Sequence, residues 1–443
     1  MKKIILTTLL TAGLMHAQEA RLLTLQDAVN YALENKADAL KARKDIERAE
    51  AKIREIRGNV FPQISVNSAT NYNPLLQQSL LPGELAGMPG QKVPVTFGTK
   101  WNSTNVAQMQ QLIFNEQVFT GLKAARSTRE FYQLNAQLTD ENLIERVANA
   151  YYQVYKTDQM MKNMQENLSL TQQTSKVIKG LLDAGLARKI DYDRIVVAEN
   201  NIASTVKTLE NATQLAENAL KFYMGMDIAQ PIRLPQDTFE PKYLPGEQTQ
   251  YDERSEIKLA KKQIELLQWQ KRASESEYYP VVALTANYGW LGQGAKFPWW
   301  HGEKDGVYWN DFSQIGLNIN IPIFRGFSVK SRIEQNQIDI EKAQLDLKDT
   351  KMGLDMQYQN AITKLQNNMT QIEIQQGNVK LAEDVMNNTR SNYQYGLATM
   401  NDIVDAESDL AEAKNNYTNA LLEYKMAEVE LLKSQGRLRT LTQ

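Results

Sequence analysis

Few residues of this 443-residue chain have the types and spacing that covalent chemistry needs. Cysteine is absent, which excludes a thiolate nucleophile, a disulfide, a cysteine metal ligand and a lipid-bearing cysteine. Of two histidines, His16 falls in an N-terminal leader, so only His301 could serve a catalytic pair, and a His/Cys metal cluster has no residues to be built from. No metal, cofactor or catalytic set is expected, and the chain reads as a non-enzyme. What remains is electrostatic. Asp402 and Asp405 stand three residues apart, on one face of a helix. A plainer role fits them too: Thr399 as N-cap with acidic residues in the first turn stabilises a helix without any ligand. Asp191 and Asp193, beside Arg188 and Lys189, are two apart and point to different faces, so they rank below the Asp402/Asp405 pair.

Both acidic pairs follow the same local sequence. Gly185 lies in LLDAGLARKIDYDRI and Gly396 in NYQYGLATMNDIVDA; each begins Gly-Leu-Ala and reaches an Asp, Asp191 or Asp402, six residues on. Either glycine alone is read as a left-handed turn between helices. At nearly the same offset RVANAYYQVYK matches DMQYQNAITKL, IFNEQVFTGLKAAR matches IFRGFSVKSR, and PQISVNSATNY matches PVVALTANYGW. Four pairs in one order indicate two repeats, 18–225 and 254–443. They are joined by 226–253, where Pro231, Pro235, Pro241 and Pro245 leave only brief structure.

Within each repeat the apolar period changes. Residues 24–57, 118–182, 189–224, 254–279, 327–391 and 400–437 are rich in Ala, Leu, Glu, Lys and Gln and read as helices. At 1.5 Å per residue the helix over 118–182 spans about 100 Å. In the last helix Ile403, Leu410, Tyr417, Tyr424 and Leu431 recur every seven residues, with Ala406, Ala413, Ala420 and Ala427 between them. Large against small at this spacing is a coiled-coil seam with close backbone approach. The earlier counterpart shows Ile195, Ile202, Leu209 and Tyr223, with Ala198, Thr205, Ala212 and Ala219.

Between helices the period is two, which places strands at 60–72, 101–113, 280–290 and 311–323. Alternating strands of about ten residues with aromatics near their ends are the signature of a transmembrane barrel. Trp290, Trp299, Trp300 and Trp309, with Phe297, Tyr308 and Phe312, would form its interfacial girdle. Four strands close no barrel, and a bilayer tolerates no open edge, so such a chain must oligomerise.

The N-terminus supports export. Lys2 and Lys3, the apolar run Ile4 to Leu14 and Ala17 follow the order of a secretory signal over 1–17. The run is too short for a transmembrane helix, and no later stretch supplies one. A net charge of −2 gives no reason to expect a nucleic-acid partner.

Taken together these residues resemble the TolC family of outer-membrane efflux ducts over essentially the whole chain after the leader. The likeness is carried by the duplication, the helix–strand–strand–helix–helix order, IPIFRGF at 321–327 and, most specifically, YQYGLATMNDIVDAESDL at 393–410. The resemblance implies a mainly α fold with a small β part: a long antiparallel coiled-coil helical barrel plus four transmembrane strands per subunit. It implies a homotrimer with a twelve-stranded barrel in the outer membrane and a helical tunnel in the periplasm. The partners implied are outer-membrane lipid, a periplasmic adaptor (membrane fusion) protein and an inner-membrane pump of RND or ABC type. The function implied is the exit duct of a tripartite efflux or type I secretion system, with porin activity, passing small molecules; polypeptide cargo is not separable from the sequence. A coiled-coil stalk or adhesin at the cell surface is the alternative.

By the same resemblance Asp402 and Asp405, two from each subunit, would ring the periplasmic aperture, where carboxylates select and hold cations. The hairpin turns at Gly185 and Gly396 would meet the adaptor. Asp191 and Tyr393 align with positions that hold the tip shut, Asp193 standing beside them. The family's basic partner is replaced by Ala398, with Arg390 or Arg188 as the stand-ins available.

Overall fold

The structure is a computed structural model that describes residues 21–235 and 251–442. The expected leader and residues 236–250 of the expected linker lie outside the described residues. Seven α-helices are described: α1 Leu25–Asn35, α2 Ala37–Gly58, α3 Glu116–Asp183, α4 Lys189–Met224, α5 Ser255–Glu275, α6 Ser328–Gln394 and α7 Met400–Ser434. The strands are β1 Arg21–Leu22, β2 Gln63–Tyr72, β3 Gln78–Pro82, β4 Lys92–Thr96, β5 Trp101–Asn115, β6 Ile232–Arg233, β7 Val281–Gly294 and β8 Val307–Asn320. They group into two compact units, and both units draw on both halves of the chain. One holds the N-terminal segment to Asp45, Tyr132–Ala260 and Asp346–Gln443; the other holds Ile46–Phe131 and Lys261–Leu345.

Two expected helices are cut differently. The helix expected over 24–57 is broken at Lys36, whose backbone is extended (φ −69°, ψ 132°). No glycine or proline marks that break; Lys36 Nζ instead donates to the Phe222 carbonyl at 2.7 Å and lies 3.7 Å above the Phe222 ring. The helix expected over 254–279 ends at Glu275 in a 3-10 turn over Ser276–Tyr278. Pro280 explains this, because the residue before a proline is driven out of the helical region, and Tyr279 is extended.

In the unit that carries the main sheet, β2, β5, β7 and β8 lie side by side in that order, all antiparallel. Register decides what each face presents, because residues opposite each other share a face. Ile64 faces Met109, Met109 faces Ala286, and Ala286 faces Ile315; Leu284 faces Leu317 and Val282 faces Ile319. The apolar rows of separate strands thus merge into one apolar face over this part of the sheet, while nearer the 295–306 connection the same face carries Ser68, Asn105 and Asp311. The opposite face runs Ser65, Gln108, Asn287, Gln314 across the same four strands. The apolar face is open: Ile315 is 80% exposed and Leu317 60%.

Strands β7 and β8 run past their expected ends toward the 295–306 connection. Two glycines permit it. The ring of Phe312 covers Gly289 and that of Trp309 covers Gly292, where a Cβ would come within 2.7 Å of the indole. The hairpin of β3 and β4 was not expected; its strands are five residues each and contain Pro82 and Pro94, which mask the alternation.

In the other unit β1 pairs in parallel with β6, so residues 226–235 of the expected linker hold only a brief strand. A large cluster joins α1 (Ala28, Val29), α3 (Leu143 to Tyr155), α4 (Leu220, Met224) and α7 (Leu422, Val429). A second joins Tyr358, Ala361 and Leu365 of α6 to Ala420, Tyr424 and Leu431 of α7. The seven-residue seam of α7 is therefore its packed side: Ile403, Ala406, Ala420, Tyr424, Ala427 and Leu431 are buried, and Leu410, Ala413 and Tyr417 half-buried. In α4 the buried stripe is Val206, Thr213 and Leu220, with the expected Ile202 and Leu209 only half-buried. Thr213 hides this register from an apolar count, because its hydroxyl is satisfied by the Leu209 carbonyl at 2.9 Å.

Gly225 ends α4 at φ +72°, and a Cβ there would lie 3.0 Å from the Asn35 carbonyl oxygen. Gly225→Ala is expected to destabilise the fold by about 1–2 kcal/mol, the cost of a left-handed non-glycine residue, measured by thermal unfolding in detergent. Gly58→Ala, with nothing within 4 Å of the added carbon, should leave the melting curve in place.

Candidate functional site

The two glycine turns fold alike to the level of individual hydrogen bonds. After α3, Gly185 (φ +74°) donates to the Leu182 carbonyl at 2.9 Å and Leu186 to that of Leu181 at 2.7 Å. After α6, Gly396 (φ +73°) donates to the Tyr393 carbonyl at 3.0 Å and Leu397 to that of Asn392 at 2.8 Å. This is the paired-bond glycine cap, which needs a left-handed residue at its centre. Both turns present an exposed leucine, Leu186 and Leu397. Behind them one apolar cluster ties the four helices together: Ile178 of α3, Ile195 of α4, Met386 of α6, and Met400, Ile403 and Ala406 of α7.

The first turn of α7 is a complete capping box. The Asp402 N–H donates to Thr399 Oγ1 at 3.3 Å, while the Thr399 N–H and hydroxyl donate to Asp402 Oδ2 at 2.6 and 2.8 Å. The Thr399 N–H, and after it the hydroxyl, hold the Asp402 carboxyl below its ordinary range. Asp402 and Asp405 are both exposed on that turn. The capping role is therefore occupied, and it leaves the second carboxylate oxygen of Asp402 and all of Asp405 facing out.

At the start of α4, Arg188 grips Asp191 through two bonds, Nε to Oδ2 at 2.8 Å and Nη2 to Oδ1 at 3.0 Å. The Asp191 side chain is 9% exposed and that of Arg188 73%. Tyr393 joins the set: burial raises its hydroxyl, the Asp191 charge adds to this, and Arg188 opposes it. Of the two arginines named as available stand-ins, Arg188 stands beside Asp191 and Tyr393. Arg390 does not. It is half-buried, and the acid its charge acts on is Glu407. Asp193 is exposed and outside this set, while Arg194 Nη1 donates to Asn401 Oδ1 at 2.6 Å, linking α4 to the start of α7.

Glu407, buried against Thr171 and Thr174 of α3, is the residue that the sequence reading missed. An acid inside DIVDAESDL looks like part of a solvated helix face. Its place next to Ala406 in the seam was the only signal available.

The aromatic residues gather where the main sheet meets the 295–306 connection. Trp299 meets Trp309 edge-on (ring centroids 5.4 Å apart) and donates from Nε1 to Thr70 Oγ1 at 3.1 Å. Tyr72, Trp101, Phe297 and Trp300 follow in a chain of contacts at 4.7, 5.1 and 4.9 Å, and Trp290 lies 6.2 Å from Tyr288. Among the described residues no group of three or more His, Cys, Asp or Glu could hold a metal, and no helix is long and apolar enough to cross a membrane.

The family model described as outer membrane efflux protein matches residues 28–226 and 249–437. The chain belongs to the outer membrane efflux protein family. Its place is the outer membrane and its work is efflux. Among its relatives, outer membrane protein TolC of Salmonella enteritidis is 21% identical, over 90% of this chain and 79% of TolC. The probable efflux pump outer membrane protein TtgC of Pseudomonas putida is 22% identical, over 93% of this chain and 82% of TtgC. The fold is similar to the crystal structure of outer membrane protein VceC from Vibrio cholerae, with TM-score 0.73, 17% identity, and coverage of 93% of this chain and 96% of VceC. None of these names describes an enzyme, a stalk or an adhesin.

Thr399→Ala removes the capping box and is expected to destabilise by about 1 kcal/mol near neutral pH. Because the Asp402 pKa is lowered in the folded protein, its share of the cap is present above the ordinary carboxylate pKa and lost as pH falls through the folded value. The difference in thermal stability between wild type and Thr399→Ala should therefore shrink below about pH 4.

Proposed function

We propose that three copies of this chain form the outer-membrane exit duct of a tripartite efflux machine, without enzymatic activity of its own. The observation that carries this is the open four-stranded sheet, with one apolar exposed face and one face of amides and hydroxyls, in an efflux protein of the outer membrane. Apolar-out and polar-in is how strands line a pore through lipid. A bilayer offers no partner to open edges, so β2 of one copy would pair with β8 of the next until three copies close a twelve-stranded barrel. Trp290, Trp299, Trp300 and Trp309 would sit at the lipid–water boundary, where indoles are favoured.

The equal geometry of the Gly185 and Gly396 turns, together with the two separate stretches of the family match, supports an internal duplication. In this reading the helices form a periplasmic tunnel whose aperture is bordered by Asp402 and Asp405. The Arg188–Asp191–Tyr393 set would steady it, and the exposed turns would meet a periplasmic adaptor that links the duct to an inner-membrane pump. The relatives carry names such as toluene efflux pump and antibiotic efflux pump outer membrane protein. The cargo proposed for this chain is accordingly small organic molecules.

Reconstitution in planar bilayers tests the reading. Wild-type protein is expected to conduct, with a preference for cations and block by multivalent cations. Asp402→Asn with Asp405→Asn should weaken both block and preference while leaving assembly intact, since clustered charges act strongly in a narrow, partly desolvated ring. Absence of conductance would reject the duct, and unchanged block in the double variant would leave these residues as helix caps alone.

A further inference from the structure

Glu407 is 4% exposed, and its two carboxyl oxygens meet one threonine hydroxyl of α3 each. Its Oε2 accepts from Thr171 Oγ1 at 2.8 Å, and Thr171 is itself fully buried. Its Oε1 lies 3.4 Å from Thr174 Oγ1, which is also 3.1 Å from the Leu170 carbonyl. A hydroxyl has one proton to give. If Thr174 gives it to Leu170, the ionised Glu407 keeps one oxygen without a donor. A protonated Glu407 resolves this conflict: its own O–H donates to Thr174 Oγ1, Thr174 donates to Leu170, and Thr171 still donates to Oε2. The protonated carboxyl therefore completes a chain of hydrogen bonds from α7 into α3 that the ionised form leaves broken.

The surroundings make that difference matter. On the turn side of Glu407 lies the apolar cluster of Ile178, Ile403 and Ala406; farther along α7 lies the cluster around Tyr424. Between them the contact is polar. Asn163 Nδ2 donates to Thr418 Oγ1 at 3.2 Å, and the side-chain oxygens of Asn415 and Asn419 are buried without a hydrogen-bond partner. Among the described residues here, Glu407 is the buried ionisable group joining α7 to α3, while Lys414 of α7 reaches Glu166 of α3 at 3.8 Å nearer the solvent.

Charge compensation is slight. Arg390 of α6 is the charged residue acting on Glu407 among the described residues; α3 offers the two hydroxyls, and Asn201, Ile202 and Thr205 of α4 do not titrate. Glu412, one turn along α7, lines the same groove and is exposed. Burial outweighs the two threonines and Arg390, and raises the Glu407 pKa above its ordinary value.

We propose that Glu407 is a positioning residue of the aperture: its buried carboxyl latches α7 to α3, more firmly when protonated, and so sets where Asp402 and Asp405 stand. The latch is a property of the helix pair, whereas its effect on conductance rests on the reading of α7's first turn as the aperture. A carboxyl whose pKa is raised by docking favours the docked state fully in acid, and loses that contribution as pH rises through the docked-state pKa. The latch therefore tightens toward acid and loosens toward neutral and alkaline pH.

Hydrogen–deuterium exchange on the intact protein in detergent, corrected for intrinsic rates, measures the latch directly. Between pH 5 and pH 8, wild-type protection of amides 400–414 is expected to fall about three- to tenfold, the scale of one buried hydrogen bond. Glu407→Gln keeps an acceptor for Thr171 and a permanent donor for Thr174, so its protection should stay at the acid level across the range. Thr171→Val, which removes the donor without changing shape, should be less protected than wild type at pH 5. A wild-type response retained in Glu407→Gln, or absent from wild type, overturns the latch. Resting conductance in bilayers should rise with pH in wild type and stay flat in Glu407→Gln. If protection responds and conductance does not, the latch stands and the aperture reading of α7 fails.

Discussion

Every backbone N–H and C=O that enters a bilayer must find a partner inside the protein, and β2 and β8 leave a row of them on each outer edge of the main sheet. The rest of the proposed architecture follows from that constraint. Among the described residues a single chain has no further strand to offer, since β3 and β4 pair with each other and β1 with β6. The apolar face sharpens the demand. Ile64 and Val66 on β2 and Ile315, Leu317 and Ile319 on β8 are all exposed, so both edges carry side chains suited to lipid and backbone groups that are not. Copies of the same chain relieve both at once, because closure by repetition removes the edges.

In the helical unit the governing constraint is close approach. Alanines at the seam positions of α7 let helices pack with their backbones near each other, and the large residues Ile403, Tyr424 and Leu431 fill the space between. Such a seam is strong where it is apolar and adjustable where it is not. Thr171, Thr174, Glu407, Asn163 and Thr418 interrupt it between two apolar clusters. The turns at Gly185 and Gly396 close the hairpins, and a Cβ added at either glycine would meet nothing within 4 Å beyond its chain neighbours.

The sequence made the fold legible where one residue type has one physical role. Gly185 and Gly396 are left-handed because the caps demand it, and the alternation of Ile315, Leu317 and Ile319 with Gln314, Gly316 and Asn318 became the two faces of β8. It was opaque where a polar group is satisfied within the structure. Thr213 shifted the buried stripe of α4, Lys36 broke a helix through a bond to a residue far along the chain, and Glu407 looked like surface. The site divided along the same line. Arg188 was visible beside Asp191 in the sequence, whereas Arg390 acts on Glu407 because of packing between α6 and α7 that spacing does not encode.

The central claim, closure of β2 against β8 of another copy, is open to direct trapping because the chain contains no native cysteine. Asn67→Cys on β2 would be combined in turn with Gln314→Cys, Gly316→Cys and Asn318→Cys on β8, and each pair oxidised in outer-membrane vesicles. Disulfides form only when Cα atoms lie within about 7 Å, so a cross-link reports true adjacency. At least one register is expected to yield a covalent ladder ending at three subunits. Chains that stay monomeric at every register would contradict it.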